Sequence, residues 1–150
     1  MKHLLRLTSH FIIVVLCTFI LATLAHSQFV LAELSAVGID ITLANRLSMS
    51  IDDLLGLLPI YAPAIGFSLA LGFGTVGFIK RRRLHTNRLL YPIAGFVAII
   101  AMLLAMHPIL GITMIAGARS TLGFISQCVA GLVGGWLFMQ LRSSTELKGN

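Results

Sequence analysis

The feature that most constrains this chain is an uncharged apolar stretch that ends in a run of four basic residues. Leu57–Ile79 is 23 residues without a charge, Lys80-Arg81-Arg82-Arg83 follows, and a second apolar stretch begins at Leu89. A helix of 23 residues is about 34 Å long, enough to cross the hydrocarbon core of a bilayer. Because a Lys or Arg at the bilayer centre costs about 2.5–3.5 kcal/mol, the basic run should stay in the cytoplasm. The pattern predicts two membrane-spanning helices joined by a cytoplasmic basic loop, residues 80–88.

Composition places the chain among integral membrane proteins. Hydrophobic residues make up 57% and charged residues 11% of the chain, against about 25% charged residues in soluble domains. The net charge of +6 does not indicate nucleic acid, because the basic residues flank apolar spans instead of covering one face of a soluble fold. Cys17 and Cys128 lie in apolar stretches without metal-ligand spacing, so no cofactor is predicted. We expect a single multi-pass membrane domain over residues 1–150.

The predicted fold class is an all-α integral membrane protein, a four-transmembrane-helix bundle. The first span is ambiguous, because the apolar core Phe11–Ala25 also has the proportions of a signal peptide. We favour a retained helix, since the uncharged stretch continues to Ala32; if the segment is cleaved, three spans remain. Ser120 is expected to cap the last helix. In the third span, Tyr91 is expected to anchor the helix at the interface and Pro92 to lie in the first turn. The approximate spans are residues 11–32, 57–79, 89–106 and 120–141.

The distribution of charge predicts the orientation of these spans. Nine of the eleven Lys and Arg residues fall on one side, and only Arg46 and Arg119 fall on the other. Since positively charged loops remain inside, the side with nine is the cytoplasm. The sequence therefore predicts a multi-pass protein of the cell (inner) membrane with both termini cytoplasmic.

Two apolar segments on the outer side are not predicted to span. Residues 41–58 have an amphipathic helical period, and Ser50 with Asp53 resembles a capping box. We expect one or two short helices there, lying on the outer membrane surface or on the bundle, with Pro59 opening the second span. Residues 107–118 are too few to cross and are expected to form an interfacial turn. The apolar positions of the amphipathic segment are Leu43, Leu47, Ile51, Leu54 and Leu58.

Small residues recur at helical spacing along the spans and predict packing surfaces. Glycine and alanine let helix backbones approach closely where lipid provides no hydrophobic drive for association. The packing could lie within one chain or between copies in a homo-oligomer. In the fourth span the candidate packing residues are Gly123, Gly131 and Gly135. In the second span they form what we call the small-residue stripe, which consists of Ala62, Gly66, Ala70 and Gly74.

Few residues inside the predicted spans could carry chemistry. The second, third and fourth spans contain no Asp, Glu, Lys or Arg, and no catalytic motif is present, so we expect no enzyme. The GxGxxG run at residues 72–77 lies inside a span without a preceding strand and is not a dinucleotide site. Gln127 should hydrogen-bond to a neighbouring helix. The polar functional candidates are His107, Arg119 and Gln127.

The basic loop is the clearest candidate for contact with a ligand, because clustered cations near the membrane surface attract anionic lipids. The sequence predicts a non-enzymatic binding protein, either an assembly factor or an accessory subunit. Its partners would be the bilayer and a membrane protein or second copy, with no nucleic acid. The alternative is a component of a small-molecule or ion transport pore formed by oligomerisation. The candidate lipid-headgroup contacts are Lys80, Arg81, Arg82, Arg83 and Arg88.

Overall fold

The computed structural model describes residues 2–82, 87–110 and 120–147, and the side chains of 5–82, 87–106 and 120–143. Within these ranges the regular elements are all α-helices, which confirms the predicted all-α class. The first, second and fourth helices along the chain are long and apolar enough to cross a membrane. The third helix contains a shorter apolar stretch, Leu90–Met106. The helices are α1 (Lys2–Ala36), α2 (Leu43–Arg82), α3 (Leu90–Leu110) and α4 (Thr121–Leu147).

The four helices pack in a ring, in which each contacts the next along the chain and α4 closes against α1. The contacts run antiparallel. Gly72 of α2 lies against Ala94 and Ala98 of α3, while Thr18 of α1 lies against Gly134 of α4. Short connections between antiparallel neighbours produce an up-down-up-down bundle.

This topology brings the start of α1, the end of α2, the start of α3 and the end of α4 to one end of the bundle. The core there is aromatic: the rings of Phe73 and Phe138 stack at 4.5 Å, and Phe11 meets Phe73 edge-on at 6.4 Å. We call this end of the bundle the basic end because many cationic residues lie there. Those that the structure describes are Arg6, Lys80, Arg81, Arg82, Arg88 and Arg142.

Local hydrogen bonds explain where several helices begin and end. At the end of α1, the N–H of Ile39 donates to the Leu34 carbonyl and the N–H of Gly38 donates to the Ser35 carbonyl. This is a Schellman motif, which needs a left-handed residue, and Gly38 supplies it with φ of +86°. At the start of α4, the hydroxyl of Ser120 accepts from the Gly123 N–H at 3.1 Å, which confirms the predicted cap.

One predicted boundary is wrong, because the outer amphipathic segment and the second span are a single helix. α2 has 40 residues, which corresponds to about 60 Å, twice the thickness of a hydrocarbon core. Pro59 and Pro63 lie inside it; membrane helices tolerate proline because local adjustments satisfy the freed backbone groups. Ser50 does not begin a helix, since its hydroxyl donates to the Arg46 carbonyl one turn earlier. The cap is Thr42, whose hydroxyl accepts from the Asn45 N–H at 3.2 Å.

The first turns of α2 also present an unexpected face to α1. The apolar residues of this segment were predicted to hold it against the membrane surface or the bundle. Four of them are exposed, while Leu54 is partly buried and packs against the core. The polar side faces α1 instead, because it is hydrogen-bonded there: Arg46 donates to Gln28 at 3.1 Å, and Ser27 donates to Asp53 at 2.7 Å. The exposed apolar residues are Leu43, Leu47, Ile51 and Leu58.

The third helix is longer than predicted. α3 extends to Leu110, so residues 107–110 continue the helix beyond the expected end at 106. The predicted first-turn position of Pro92 is confirmed. The remainder of the predicted interfacial turn, residues 111–118, lies outside the described residues.

Candidate functional site

The small-residue stripe of α2 is not one packing surface. Ala62 is buried, and a Cβ added at Gly66 would lie 3.6 Å from the Val15 side chain of α1. Ala70 is exposed, and a Cβ added at Gly74 would meet no described neighbour within 4 Å. Residues four apart turn by about 40° per step on a helix of 3.6 residues per turn. The stripe therefore starts at the edge of the buried face and drifts to the opposite side by Gly74. For Ala70 and Gly74 the predicted packing role within this chain is wrong.

A close backbone approach lies between α3 and α4, where the predicted residues Gly131 and Gly135 face Gly95. A Cβ on Gly95 would overlap the Gly131 carbonyl oxygen, and a Cβ on Gly135 would overlap the Tyr91 carbonyl oxygen. We call these three glycines the α3–α4 glycine contact. The remaining candidate of the set, Gly123, is buried beside the Ser120 cap. Gly95 was missed because a single glycine among alanines carries no distinct pattern.

The hydrogen bond predicted for Gln127 is present and links three helices. Its side-chain oxygen accepts from the Tyr61 hydroxyl at 2.8 Å, and its amide nitrogen donates to the Ala22 carbonyl at 2.9 Å. Gln127 is 0% exposed and Tyr61 is 1% exposed. Because both partners of the amide belong to the protein's own core, this residue joins α1, α2 and α4 and is not directed at a ligand.

A second set of polar side chains, on α1 and α2, was not predicted. Ser27 donates to Asp53, and its oxygen also lies 3.0 Å from the Thr23 carbonyl. His26 is buried on the same stretch of α1, and the hydroxyl of Thr23 is buried without a hydrogen-bond partner among the described residues. Because the serine hydroxyl bonds directly to the carboxylate, this is not a Ser-His-Asp relay, which places the imidazole between the two. No three described His, Cys, Asp or Glu side chains are grouped to hold a metal.

Three cationic side chains line one small pocket beside Tyr91 at the basic end. Arg142 of α4 donates to the Tyr91 hydroxyl at 2.8 Å, and the Lys80 ammonium lies 4.5 Å from the centre of the Tyr91 ring. Arg88, from the segment before α3, lines the same small pocket of about 40 Å³. Such a volume admits about three water-sized groups, comparable to the oxygens of a phosphate. We call Lys80, Arg88, Tyr91 and Arg142 the basic site.

The basic site combines predicted and unpredicted residues. Of the predicted lipid contacts, Lys80 and Arg88 line the basic site. Arg81 and Arg82 were also predicted but do not line it: Arg81 is exposed, and Arg82 lies over the Phe78 ring at 4.6 Å. Arg142 was not predicted, although it is the first charge after the fourth span. Tyr91 is 2% exposed and belongs to the core, so within the basic site it acts mainly as a support for the cations. Arg83 and Arg119, and the side chain of His107, lie outside the described residues.

An apolar groove of about 720 Å³ runs between α2 and α3. It is bounded at the basic end by Ile79 and Leu90 and extends to Ile60 and Met106. Its volume is within the range of about 300–1,000 Å³ that is typical of ligand pockets. We call it the α2–α3 groove; the small residues that line it include Ala64, Ser68, Gly72, Thr75, Ala94 and Ala101.

No protein-family model, curated protein or solved structure matches this chain significantly. The function is therefore argued from the geometry of the basic site and the α2–α3 groove.

Proposed function

We propose that this protein is a four-span membrane protein that acts by binding, as an accessory or assembly subunit, and that its basic site holds an anionic phosphate group. The observation that carries the proposal is the convergence of Lys80, Arg88 and Arg142 from three separate segments on one pocket. Cations that serve topology alone need only lie on the correct side of the membrane. Convergence on a shared pocket is the arrangement that recognises an anion.

Several features support four spans with the basic end in the cytoplasm. α1, α2 and α4 are long and apolar enough to cross, and the 21 residues of α3 measure about 32 Å, close to the hydrocarbon thickness. α1 packs between α2 and α4, and its buried residues include Val14 and Phe19, which favours a retained helix over a cleaved signal peptide. The clustered cations at one end favour that end as the cytoplasmic one.

Cysteine labelling tests this orientation. In a background without Cys17 and Cys128, Val37→Cys and Asn87→Cys place exposed thiols at opposite ends of the bundle. We expect an impermeant maleimide to label Val37→Cys in intact cells and to label Asn87→Cys only after permeabilisation. Labelling of Asn87→Cys from outside would reverse the orientation, and labelling of both would remove the four-span topology.

The pocket is built to hold its cations in place. Arg142 is positioned by the Tyr91 hydroxyl, and Lys80 by the face of the Tyr91 ring. The aromatic core positions Tyr91 in turn, since its ring packs edge-on against Phe73 at 5.9 Å and Phe138 at 5.3 Å. Side chains that are already ordered lose less entropy when a ligand binds. The non-bridging oxygens of a phosphate, two in a diester and three in a monoester, share its negative charge and can accept from several cations at once, so either ester suits a site with three cations.

Nanodisc binding tests the proposed ligand. The protein is reconstituted in phosphatidylcholine with increasing phosphatidylglycerol, and the bound anionic lipid is quantified by native mass spectrometry. A hydrogen bond to a charged group contributes about 1.5–3 kcal/mol, so Lys80→Gln/Arg142→Gln, which removes two direct contacts with the phosphate, should lower the preference for phosphatidylglycerol about tenfold or more. The control Arg81→Gln/Arg82→Gln removes the same charge outside the pocket and should have a smaller effect. Equal losses in both pairs would indicate a general surface-charge effect, and no preference in the wild type would refute the proposal.

A further inference from the structure

We propose that the α2–α3 groove is an acyl-chain subsite continuous with the basic site. Together they would hold one anionic phospholipid, with the phosphate at the basic site and a fatty-acyl chain in the groove. The inference rests on the proposed function and narrows it, because a soluble phosphate ester would use only the basic site.

The two openings meet at the basic end of the bundle. Ile79 and Leu90 line the end of the groove, and Lys80 and Tyr91, the next residue on each helix, line the basic site. One residue advances a helix by about 1.5 Å and turns it by about 100°, so the two openings lie at nearly the same depth on adjacent faces. A phosphate at the basic site therefore places its acyl chains beside the groove entrance.

The length of the groove suits a chain in one leaflet. From Leu90 to Met106 the α3 wall covers 16 residue steps, which is about 24 Å along the helix. A chain from the cytoplasmic leaflet needs about 15 Å, half of the hydrocarbon core. The half of the groove next to the basic site is thus long enough for one chain.

The lining of the groove favours an apolar occupant. Its two described hydroxyls are engaged with their own helix: Ser68 donates to the Ala64 carbonyl at 2.8 Å, and Thr75 donates to the Leu71 carbonyl at 2.7 Å. The other lining residues are apolar. A polar ligand would find few partners along these walls, whereas a saturated chain requires none.

Charge at one end distinguishes a lipid from other apolar occupants. A transmembrane helix of a partner, or a second copy of this chain, could fill an apolar groove but would not require three cations at its mouth. A phospholipid carries its negative charge at the membrane surface, next to the point where its acyl chains begin. The combination of a cationic pocket and an apolar groove therefore matches the lipid.

The test fills the groove without changing the basic site. Ala101→Phe places a ring on an exposed groove wall, and the matched control Ala70→Phe places the same ring on an exposed face of α2 outside the groove. Purified full-length protein in mild detergent is incubated with long-chain phosphatidylglycerol or, separately, with inorganic phosphate. We expect Ala101→Phe to lower phosphatidylglycerol retention by about five- to tenfold, the low end of overpacking effects, and to leave phosphate binding unchanged. Ala70→Phe should bind both probes like the wild type.

Each outcome separates this inference from the proposed function. Unchanged phosphatidylglycerol retention in Ala101→Phe overturns the acyl subsite, and the anion site stands if the wild type still prefers phosphatidylglycerol to phosphatidylcholine. Loss of that preference in the wild type removes both. A change in oligomeric mass with unchanged lipid retention assigns the groove to a protein partner and also overturns the inference. If Ala101→Phe does not fold, Val97→Phe fills the same groove one turn closer to the basic site, inside the half that one chain would occupy.

Discussion

Replacing Gly135 with alanine should destabilise this protein by about 3 kcal/mol, the upper end of the usual range for overpacking. The added Cβ would overlap the Tyr91 carbonyl oxygen and lie 2.7 Å from the Pro92 Cα. Both obstacles are backbone atoms of α3, so no side-chain rotation relieves the clash and the two helices must separate. The measurement is thermal or denaturant unfolding of purified protein in detergent, followed by circular dichroism.

Gly74→Ala is the matched control for that prediction. Both glycines lie inside helices, but a Cβ at Gly74 would meet no neighbouring atom within 4 Å in the part of the chain that the structure describes. Alanine is favoured over glycine in a helix by about 1 kcal/mol, so Gly74→Ala should be neutral or slightly stabilising. Equal destabilisation by Gly74→Ala and Gly135→Ala would show that the α3–α4 glycine contact does not require glycine at position 135.

Replacing Gln127 with leucine should destabilise the protein by about 1–3 kcal/mol, because it leaves a buried polar group unsatisfied. The Tyr61 hydroxyl loses its acceptor, while the Ala22 carbonyl loses the amide of Gln127. Adding Tyr61→Phe removes the stranded hydroxyl. The double variant Tyr61→Phe/Gln127→Leu should therefore be more stable than Gln127→Leu alone.

A double-mutant cycle on unfolding free energies checks this result. Hydrogen bonds between membrane helices average about 0.6 kcal/mol and reach about 1.7 kcal/mol, so the coupling between Tyr61 and Gln127 should lie in that range. Additive effects of the two substitutions would show that the hydroxyl and the amide do not depend on each other. The hydroxyl of Ser126 donates to the Gly123 carbonyl of its own helix. Ser126→Ala therefore controls for the loss of a polar group on α4 that does not bond to another helix.

The helices were predictable because length and charge alone specify them. An uncharged stretch of about 20 residues satisfies its backbone hydrogen bonds as a helix in lipid, whatever its neighbours. The Ser120 cap was also predictable from local sequence, because a cap joins residues that are only three positions apart. The boundary at Pro59 was wrong because local rules assign proline to the first turn, whereas the structure continues α2 through it.

The packing surface of α2 shows why a periodic pattern is insufficient. Ala62 and Gly74 belong to the same four-residue repeat, yet one is buried and the other exposed. A repeat of four residues drifts around the helix because the helical period is 3.6 residues. Which of its positions are buried depends on where α1 and α3 pack, and the sequence does not give those positions. Gly131 and Gly135 do face a neighbour closely, but the backbone they contact comes from residues about 40 positions away in sequence.

By itself, the sequence determined the helical class, the approximate apolar spans and the accumulation of cations around residues 80–88, because these depend on hydrophobicity and charge along the chain. Only the tertiary structure decided which residues meet. Lys80, Arg88 and Arg142 share a pocket because antiparallel packing brings the end of α2, the start of α3 and the end of α4 together around Tyr91. That convergence depends on helix rotation and neighbour order, which arise from contacts between segments distant in the sequence.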